Sequence, residues 1–215
     1  MPKLVVRGYT MSLDGYTAAP GQSLENPFGV GGMPIMDWAL ATRTFKKMFG
    51  MEGGTTGIDD DFAAHADDGI GATIMGRNMF SPLRRNWLNE DWKGWWGPNP
   101  PYHHPVFVVT HHARKSFPME SGTTFEFVTE GIEAALEKAF AAANGKDVRV
   151  GGGSNLIRQY LNAGLIDELQ LVVATNLLGG GERLFENGDE TAKRYECVKL
   201  VSSETVSHIH LIKRK

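Results

Sequence analysis

The sequence predicts an α/β fold, in which helices flank a mixed, mostly parallel central sheet that ends in a C-terminal antiparallel hairpin. Two observations support this prediction. Short apolar runs typical of buried strands alternate with segments of helical periodicity along most of the chain, which is the pattern of a parallel sheet covered by helices. The final stretch instead alternates polar and apolar residues at 195–202 and 205–213, as an antiparallel hairpin does.

The composition is that of a single globular domain, which we expect to span residues 1–215. The chain has 215 residues, of which 41% are hydrophobic and 22% are charged, and its formal net charge is −3. A charge so close to balance argues against nucleic acid or an anionic membrane as a partner. No apolar run approaches the roughly 20 residues that cross a bilayer.

The cysteine content indicates a reducing compartment. Cys197 is the only cysteine, so no internal disulfide can form. No segment resembling a signal peptide precedes the apolar run at residues 4–6, and we therefore expect a cytoplasmic protein. We expect Cys197 itself to be a small core residue.

The remaining elements follow from local patterns. Besides the hairpin, strands are predicted at residues 3–10, 72–76, 106–110, 124–128, 148–150 and 169–174. Helices are predicted at residues 35–48, 59–66 and 131–143, with further helices opening at Arg77 and after Gly153. Thr129 is the candidate N-cap of the third helix. Two irregular insertions, at about 18–57 and 81–105, interrupt this pattern.

The strongest chemical signal is the run V-R-V-G-G-G-S-N-L-I-R-Q-Y-L at residues 148–161, in which a strand ends in three glycines and opens a helix. Bare backbone N–H groups at a helix N-terminus can bind a phosphate. No lysine follows the glycines, so a nucleotide triphosphatase loop is disfavoured. The alternative is a tight turn that requires positive φ, with Ser154 as a helix N-cap.

A second candidate turn is M-G-R-N-M at residues 75–79, again where a strand ends and a helix begins. Arg77 can bind a phosphate through two donors, although a solvated arginine at a helix start is the simpler interpretation. Ligands of open α/β sheets collect beyond the carboxyl ends of the strands. Two such turns in one sheet therefore strengthen the prediction of a phosphate site.

The tryptophan-rich segment 87–105 has two interpretations. Its aromatic side chains can line a pocket for a flat heterocyclic substrate, or they can form a satellite core cluster or a subunit interface. The candidates for substrate contact are Trp92, Trp95, Trp96 and Tyr102.

A metal site is not expected, because the histidine doublets in this sequence point to opposite faces of an extended chain and no H-E-x-x-H motif is present. His208 and His210 share one face of the last strand, where we expect surface positions for both.

The order of several motifs resembles that of the dihydrofolate reductase fold. These motifs are M-G-R-N-M-F at 75–80, V-F-V-V-T at 106–110, V-G-G-G-S-N-L at 150–156 and G-L-I-D-E-L-Q-L-V-V at 164–173. S-L-D-G-Y at 12–16 and L-L-G-G-G-E-R-L-F at 177–185 are more similar to the C-terminal reductase domain of the bifunctional deaminase/reductase of riboflavin biosynthesis and to its stand-alone bacterial relatives. The resemblance spans Lys3 to about Lys213.

The resemblance implies NADPH as the hydride donor, with its pyrophosphate between the two glycine turns. The turn residues it implicates are Gly76, Arg77, Asn78, Met79, Val150, Gly151, Gly152, Gly153, Ser154, Asn155 and Leu156. By the same resemblance Thr110, His111 and Arg114 approach the 2′-phosphate, and Thr10, Thr17 and Ala18 border the nicotinamide. A homodimer is also implied.

Asp14 matches the acidic residue of the S-L-D-G motif and is the candidate catalytic residue. A carboxylate near the nicotinamide can orient a substrate N–H or relay a proton, since reduction of C=N or C=O needs both a hydride and a proton. The competing interpretation is structural, because an aspartate before a glycine commonly makes a turn.

These observations together predict an NADPH-dependent reductase that transfers hydride to a small heterocyclic or carbonyl/imine substrate. The 5-amino-6-(5-phosphoribosylamino)uracil reductase type is one candidate. The alternative is a nucleotide-binding sensor that holds NADPH without turnover.

Overall fold

The computed structural model describes residues 1–82, 87, 91–120, 122–186 and 193–214. Within these residues a nine-stranded sheet forms the centre of the molecule. Its strands are β1 (Leu4–Ser12), β3 (Ile70–Gly76), β4 (Pro105–Val109), β5 (Phe117–Pro118), β6 (Thr124–Val128), β7 (Asp147–Gly152), β8 (Glu168–Ala174), β10 (Tyr195–Ser202) and β11 (Val206–Lys213). A separate two-stranded sheet pairs β2 (Tyr16–Ala18) with β9 (Glu182–Arg183).

The strand order of the large sheet is β10-β11-β8-β1-β7-β3-β4-β6-β5. The six strands from β8 to β6 pair in parallel, whereas β11 runs antiparallel to β8 and to β10, and β5 runs antiparallel to β6. The predicted fold class is confirmed: the sheet is mostly parallel and its C-terminal end is an antiparallel hairpin.

The helices are α1 (Asp37–Ala41), α2 (Arg43–Met48), α3 (Ile58–His65), α4 (Arg77–Phe80), α5 (Ile132–Ala142) and α6 (Ser154–Asn162), with a 3-10 turn at Met33–Met36. The single helix predicted over 35–48 is therefore wrong. Thr42 adopts an extended conformation between α1 and α2, where its hydroxyl accepts the N–H of Phe45 at 3.1 Å. A threonine that caps a new helix competes with continuation of the old one.

Thr129 as the N-cap of α5 is also wrong, and so is Ser154 as the N-cap in the alternative interpretation of the glycine run. Gly131, with φ 101°, occupies the N-cap position of α5, so Thr129 lies outside the helix. Gly153 is the N-cap residue of α6 and Ser154 is its first residue, with no side-chain cap. The hydroxyl of Ser154 instead forms hydrogen bonds with side chains of β1 and β2.

Helices cover both faces of the sheet. On one face α5 and α6 pack on an apolar cluster whose fully buried members include Leu4, Ile74, Val150, Ile157 and Tyr160. Neighbouring strand residues point to the opposite face. There Trp38 of α1 belongs to a small apolar group with Val172. A larger group, the second apolar cluster, forms around Met75, Phe80 and Phe125 beneath the tryptophan segment.

Two side chains differ from their predicted environment. His208 is only 1% exposed, because α3 covers this part of β11: its ring stacks on Phe62 at 4.1 Å and its Nε2 lies 2.7 Å from Asp59 Oδ1. Cys197 is exposed rather than in the core, since β10 is the edge strand of the sheet. Among the described residues, no helix combines the length and hydropathy needed to span a membrane.

We expect Thr42→Ala to lower the free energy of unfolding by about 1 kcal/mol, the usual value of an N-cap hydroxyl. The Thr42 hydroxyl also donates to the Ala39 carbonyl at 2.7 Å, so it connects the end of α1 to the start of α2. Thr42→Ser keeps the hydroxyl and is the matched control in urea denaturation. Equal losses in the two variants would show that the hydroxyl is not the stabilising group.

Candidate functional site

The two predicted turns lie side by side at the carboxyl ends of neighbouring strands. β3 and β7 pair in parallel, with Met75 opposite Gly152. A Cβ added to Gly76 would lie 3.4 Å from the backbone nitrogen of Gly153 and 3.6 Å from the carbonyl oxygen of Gly152. The structure therefore brings together the residues of the two turns, as expected from their sequence positions.

The glycines of the second turn serve different purposes. Gly152 has φ 137°, and a Cβ there would lie 3.0 Å from Tyr9 Cε2 and 3.2 Å from Met79 Sδ. A Cβ at Gly151 would meet Met79 and Thr73 at an ordinary contact distance of 3.4 Å. In contrast, a Cβ at Gly153 would meet no heavy atom of the described residues within 4 Å. Gly152 thus makes room for the protein's own side chains, whereas Gly153 leaves open space.

The N-terminus of α6 lies at this open position. Within the described residues no side chain caps this nine-residue helix, so its first N–H groups are available to an acceptor there, and the helix dipole adds positive potential. Within the helix, Leu156 is buried and Asn155 is exposed, with its side-chain oxygen accepting from Gln159 at 2.7 Å. Val150 is buried in the preceding strand. These are the elements of an anion site.

Arg77 and Arg114 are brought together by Trp87, a residue without a predicted role in the site. The guanidinium carbon of Arg77 lies 3.3 Å from the centroid of the Trp87 ring, and that of Arg114 lies 4.9 Å from it. Burial, followed by the nearby charge of Arg114, lowers the pKa of Arg77 to about 10. Arg77 nevertheless stays charged at neutral pH, so two cations border one end of the paired turns.

The segment that leads to Arg114 begins at the end of β4. The side-chain oxygen of Thr110 accepts the N–H of His112 at 3.1 Å, and the carbonyl of His112 accepts the Trp87 indole N–H at 2.9 Å. His111 is exposed between them. Trp87 is thus tied to His112, which follows Thr110 and His111, and it lies against Arg114. No short-range sequence pattern signals the role of that tryptophan.

The residues expected at the nicotinamide lie on β1 and β2. The side-chain oxygen of Thr10 accepts the indole N–H of Trp38 at 3.0 Å. Thr17 donates to the carbonyl of Glu182 at 3.2 Å and shares a short hydrogen bond with the Ser154 hydroxyl. Ala18, the last residue of β2, pairs with Glu182. Through Thr17 and Ser154, this edge is in direct contact with the glycine turn.

Asp14 is engaged by three donors. Its carboxylate accepts hydrogen bonds from the Ser12 hydroxyl at 2.5 Å and from the backbone N–H groups of Leu178 and Gly179 at 3.1 and 2.7 Å. The Ser12 hydroxyl foremost, aided by these backbone donors, lowers the pKa of Asp14 to about 2. The carboxylate is therefore ionised at neutral pH and holds the segment 177–181. Whether it also acts in catalysis stays a prediction.

The tryptophan segment covers the sheet and α4. Trp92 and Trp95 donate their indole N–H groups, both at 2.9 Å, to the carbonyls of Phe80 and Met79 at the end of α4. Trp96 and Tyr102 join the second apolar cluster, where their rings contact each other and Phe125. These contacts are those of a satellite core. Substrate binding by Trp92, Trp95, Trp96 or Tyr102 stays a prediction.

The histidine doublet at 103–104 has a structural partner. His104 Nε2 lies 2.8 Å from the hydroxyl of Thr73, and burial lowers the pKa of His104 to about 4. In the described part of the chain, no three His, Cys, Asp or Glu side chains are grouped as metal ligands would be.

Comparison with protein families gives this geometry a family context. The model of the RibD C-terminal domain matches residues 3–209. The chain belongs to this family. A search of curated proteins finds no match.

Three solved structures share the fold of this RibD C-terminal domain protein. A protein from Shewanella sp. PV-4, provisionally assigned to riboflavin biosynthesis, is 20% identical with a TM-score of 0.60, and each chain is covered to 100%. Dihydrofolate reductase from Enterococcus faecalis, in complex with NADP(H) and RAB-propyl, is 14% identical with a TM-score of 0.52, with 99% of this chain and 97% of that chain covered. The fold is thus dihydrofolate-reductase-like, as the sequence resemblance implied.

The third structure is the diaminohydroxyphosphoribosylaminopyrimidine deaminase/5-amino-6-(5-phosphoribosylamino)uracil reductase from Thermotoga maritima. It is 13% identical with a TM-score of 0.53 and is matched over 99% of this chain and 57% of its own length. The present chain therefore spans a little over half of that bifunctional protein.

We expect Ser12→Ala to raise the pKa of Asp14 from about 2 toward the ordinary value near 3.9, because the Ser12 hydroxyl contributes most to the lowering. A ¹³C NMR titration of the side-chain carboxyls measures this. Because the folded-state pKa is the lower one, the stabilisation by Asp14 is complete above about pH 4 and is lost as the pH falls through about 2.

The matched control for this titration is Ser23→Ala, which removes the equivalent hydroxyl from Glu25 in another loop. It should leave the Asp14 midpoint unchanged. An unchanged midpoint in Ser12→Ala would contradict the assignment of the Ser12 hydroxyl as the main cause.

Proposed function

We propose that this protein is an NADPH-dependent reductase that transfers hydride to a small heterocyclic or carbonyl/imine substrate. The observation that carries the proposal is the open backbone at Gly153. It lies beside Gly76 and at the uncapped N-terminus of α6, within a chain of the RibD C-terminal domain family. Backbone donors without a covering side chain are what a pyrophosphate requires.

The residues present fit this cofactor. The turn at 151–155 would bind the pyrophosphate through backbone N–H groups, with Gly76, Asn78 and Met79 on its other side. Arg77 and Arg114, together with Thr110 and His111, would bind the 2′-phosphate, because two arginines held against one indole form a pre-organised positive site. The bound nicotinamide supplies the hydride, and Thr10, Thr17 and Ala18 would border it.

The chain's own residues contribute orientation rather than redox chemistry. Asp14 holds no proton at neutral pH, so the role we propose for it is to fix the segment 177–181 beside the nicotinamide edge and to orient a substrate N–H. The proton that accompanies the hydride then comes from solvent. The 5-amino-6-(5-phosphoribosylamino)uracil reductase reaction, named for the Thermotoga maritima relative, is one candidate.

Two further parts of the proposal concern the protein's surroundings. We propose a homodimer, which the exposed apolar residues Val198 and Leu200 on the edge strand β10 favour. We also propose a cytoplasmic location, consistent with the single free Cys197.

We expect the protein to bind NADPH and Gly153→Ala to weaken this binding at least about tenfold, since the added methyl occupies the space through which a phosphate reaches the backbone. The substitution should leave the fold intact, because no described heavy atom lies within 4 Å of the new Cβ. Fluorescence titration with NADPH and with NADH measures the effect and the preference between the two.

Gly180→Ala is the control for this titration. It adds the same methyl outside the two turns, where the nearest described heavy atom, Pro20 Cγ, lies at an ordinary 3.6 Å. Failure of the unmodified protein to bind either nucleotide at millimolar concentration would refute the proposed function.

We expect at least one compound from a panel of pyrimidines, pterins, flavins and quinones to stimulate NADPH oxidation, and Gly153→Ala to reduce that rate. Reduction of a C=N or C=O bond consumes one hydride and one proton, so each turnover removes one NADPH. The loss of NADPH absorbance reports the rate. Tight binding without oxidation across the whole panel would instead favour the sensor.

A further inference from the structure

Three side-chain hydroxyls meet where β1, β2 and the first residue of α6 converge. The Tyr9 hydroxyl lies 3.1 Å from the Ser154 hydroxyl, which shares a short hydrogen bond with the Thr17 hydroxyl. Thr17 in turn lies 3.2 Å from the carbonyl oxygen of Glu182 on β9. Ser154 and Thr17 are buried, at 4% and 6% exposure. The four groups form one continuous chain.

The direction of this chain follows from its last member. A carbonyl only accepts, so the Thr17 hydroxyl donates its one proton to Glu182. The Ser154 hydroxyl must then donate to Thr17, and the Tyr9 hydroxyl must donate to Ser154. Desolvation raises the pKa of Tyr9, which keeps this first donor protonated. The Ser154 hydroxyl proton is therefore used within the protein.

The ring of Tyr9 also contacts the glycine turn. A Cβ added to Gly152 would lie only 3.0 Å from Cε2 of this ring. Tyr9 follows a register shift in β1 next to Gly8, which has φ 65°. Such bulges re-aim side chains. Tyr9 thus holds the turn at two points, through its ring at Gly152 and through its hydroxyl at Ser154.

The hydroxyl chain joins the two halves of the proposed cofactor site. Ser154 belongs to the turn proposed to bind the pyrophosphate. Thr17 is expected at the nicotinamide, and so is Thr10, which follows Tyr9 in the sequence. A dinucleotide that spans both halves binds best when their separation is fixed in advance, because less order is then lost on binding.

We propose, on the basis of the proposed function, that Tyr9 is a positioning residue: through the Tyr9–Ser154–Thr17 hydroxyl chain it fixes the phosphate-binding turn relative to the nicotinamide edge. Ser154 then acts on the cofactor through its backbone N–H, while its hydroxyl serves the chain. The ligand class that this device serves is a dinucleotide rather than a mononucleotide.

The test compares two probes, NADPH and adenosine 2′,5′-bisphosphate, the second of which lacks the nicotinamide half. Tyr9→Phe should weaken NADPH binding about three- to tenfold, as expected for one hydrogen bond, and change the binding of adenosine 2′,5′-bisphosphate less than twofold. Thr17→Val should have the same effect as Tyr9→Phe, and the double variant should be no worse than either, because all three break one chain.

Two controls separate positioning from stability. Tyr160→Phe removes another phenol hydroxyl of α6, which lies outside the hydroxyl chain and donates to the Ile132 carbonyl of α5 at 2.7 Å. It should lower the free energy of unfolding without changing NADPH affinity. Thr17→Ser keeps the hydroxyl and should recover NADPH affinity that Thr17→Val loses, which tests the hydroxyl chain even where Tyr9→Phe fails to fold.

The outcomes are distinct. If the unmodified protein binds NADPH but Tyr9→Phe and Thr17→Val bind it equally well, the positioning role is refuted and the proposed function stands. The positioning role is also refuted if Tyr160→Phe weakens NADPH binding as much as Tyr9→Phe does, or if adenosine 2′,5′-bisphosphate is weakened as much as NADPH. If the unmodified protein does not bind NADPH, the proposed function and this inference fail together.

Discussion

The parallel pairing of β3 with β7 is the constraint on which the candidate site depends. Because these neighbouring strands run in the same direction, their carboxyl ends meet at one edge of the sheet, and the turns that follow them come into contact at Gly76 and Gly153. α6 begins at the second turn, and its uncapped N-terminus adds positive potential at the same point. A shift in this register would separate the turns and remove the site.

The charges around the turns are arranged at some cost in solvation. Arg77 loses part of its hydration and lies near a second cation, Arg114, which is why its pKa is lowered. The face of the Trp87 indole offsets part of this cost through cation–π contact with both guanidinium groups. Holding two positive groups close together favours an anionic ligand with more than one charge, which agrees with a phosphate.

The other edge of the site is held by groups that are themselves satisfied within the protein. Asp14 holds Leu178 and Gly179 through its carboxylate, and Thr17 ties β2 to α6 and to Glu182. These contacts join segments far apart in the sequence, so β2, residues 178–179 and the glycine turn form one connected unit. The consequence is a pre-organised site, in which binding energy is not spent on ordering loops.

The sequence by itself determined the fold class, most strand positions and the two glycine turns, because strand periodicity and glycine-rich strand ends are local patterns. Only the tertiary structure decided that Trp87 lies between Arg77 and Arg114, that Tyr9 holds Ser154, and that His208 is buried under Phe62. It also decided that Gly152 makes room for Tyr9 while Gly153 stays open. Each of these is a contact between distant segments, whose packing energy depends on which strands become neighbours and is not encoded in any short stretch of chain.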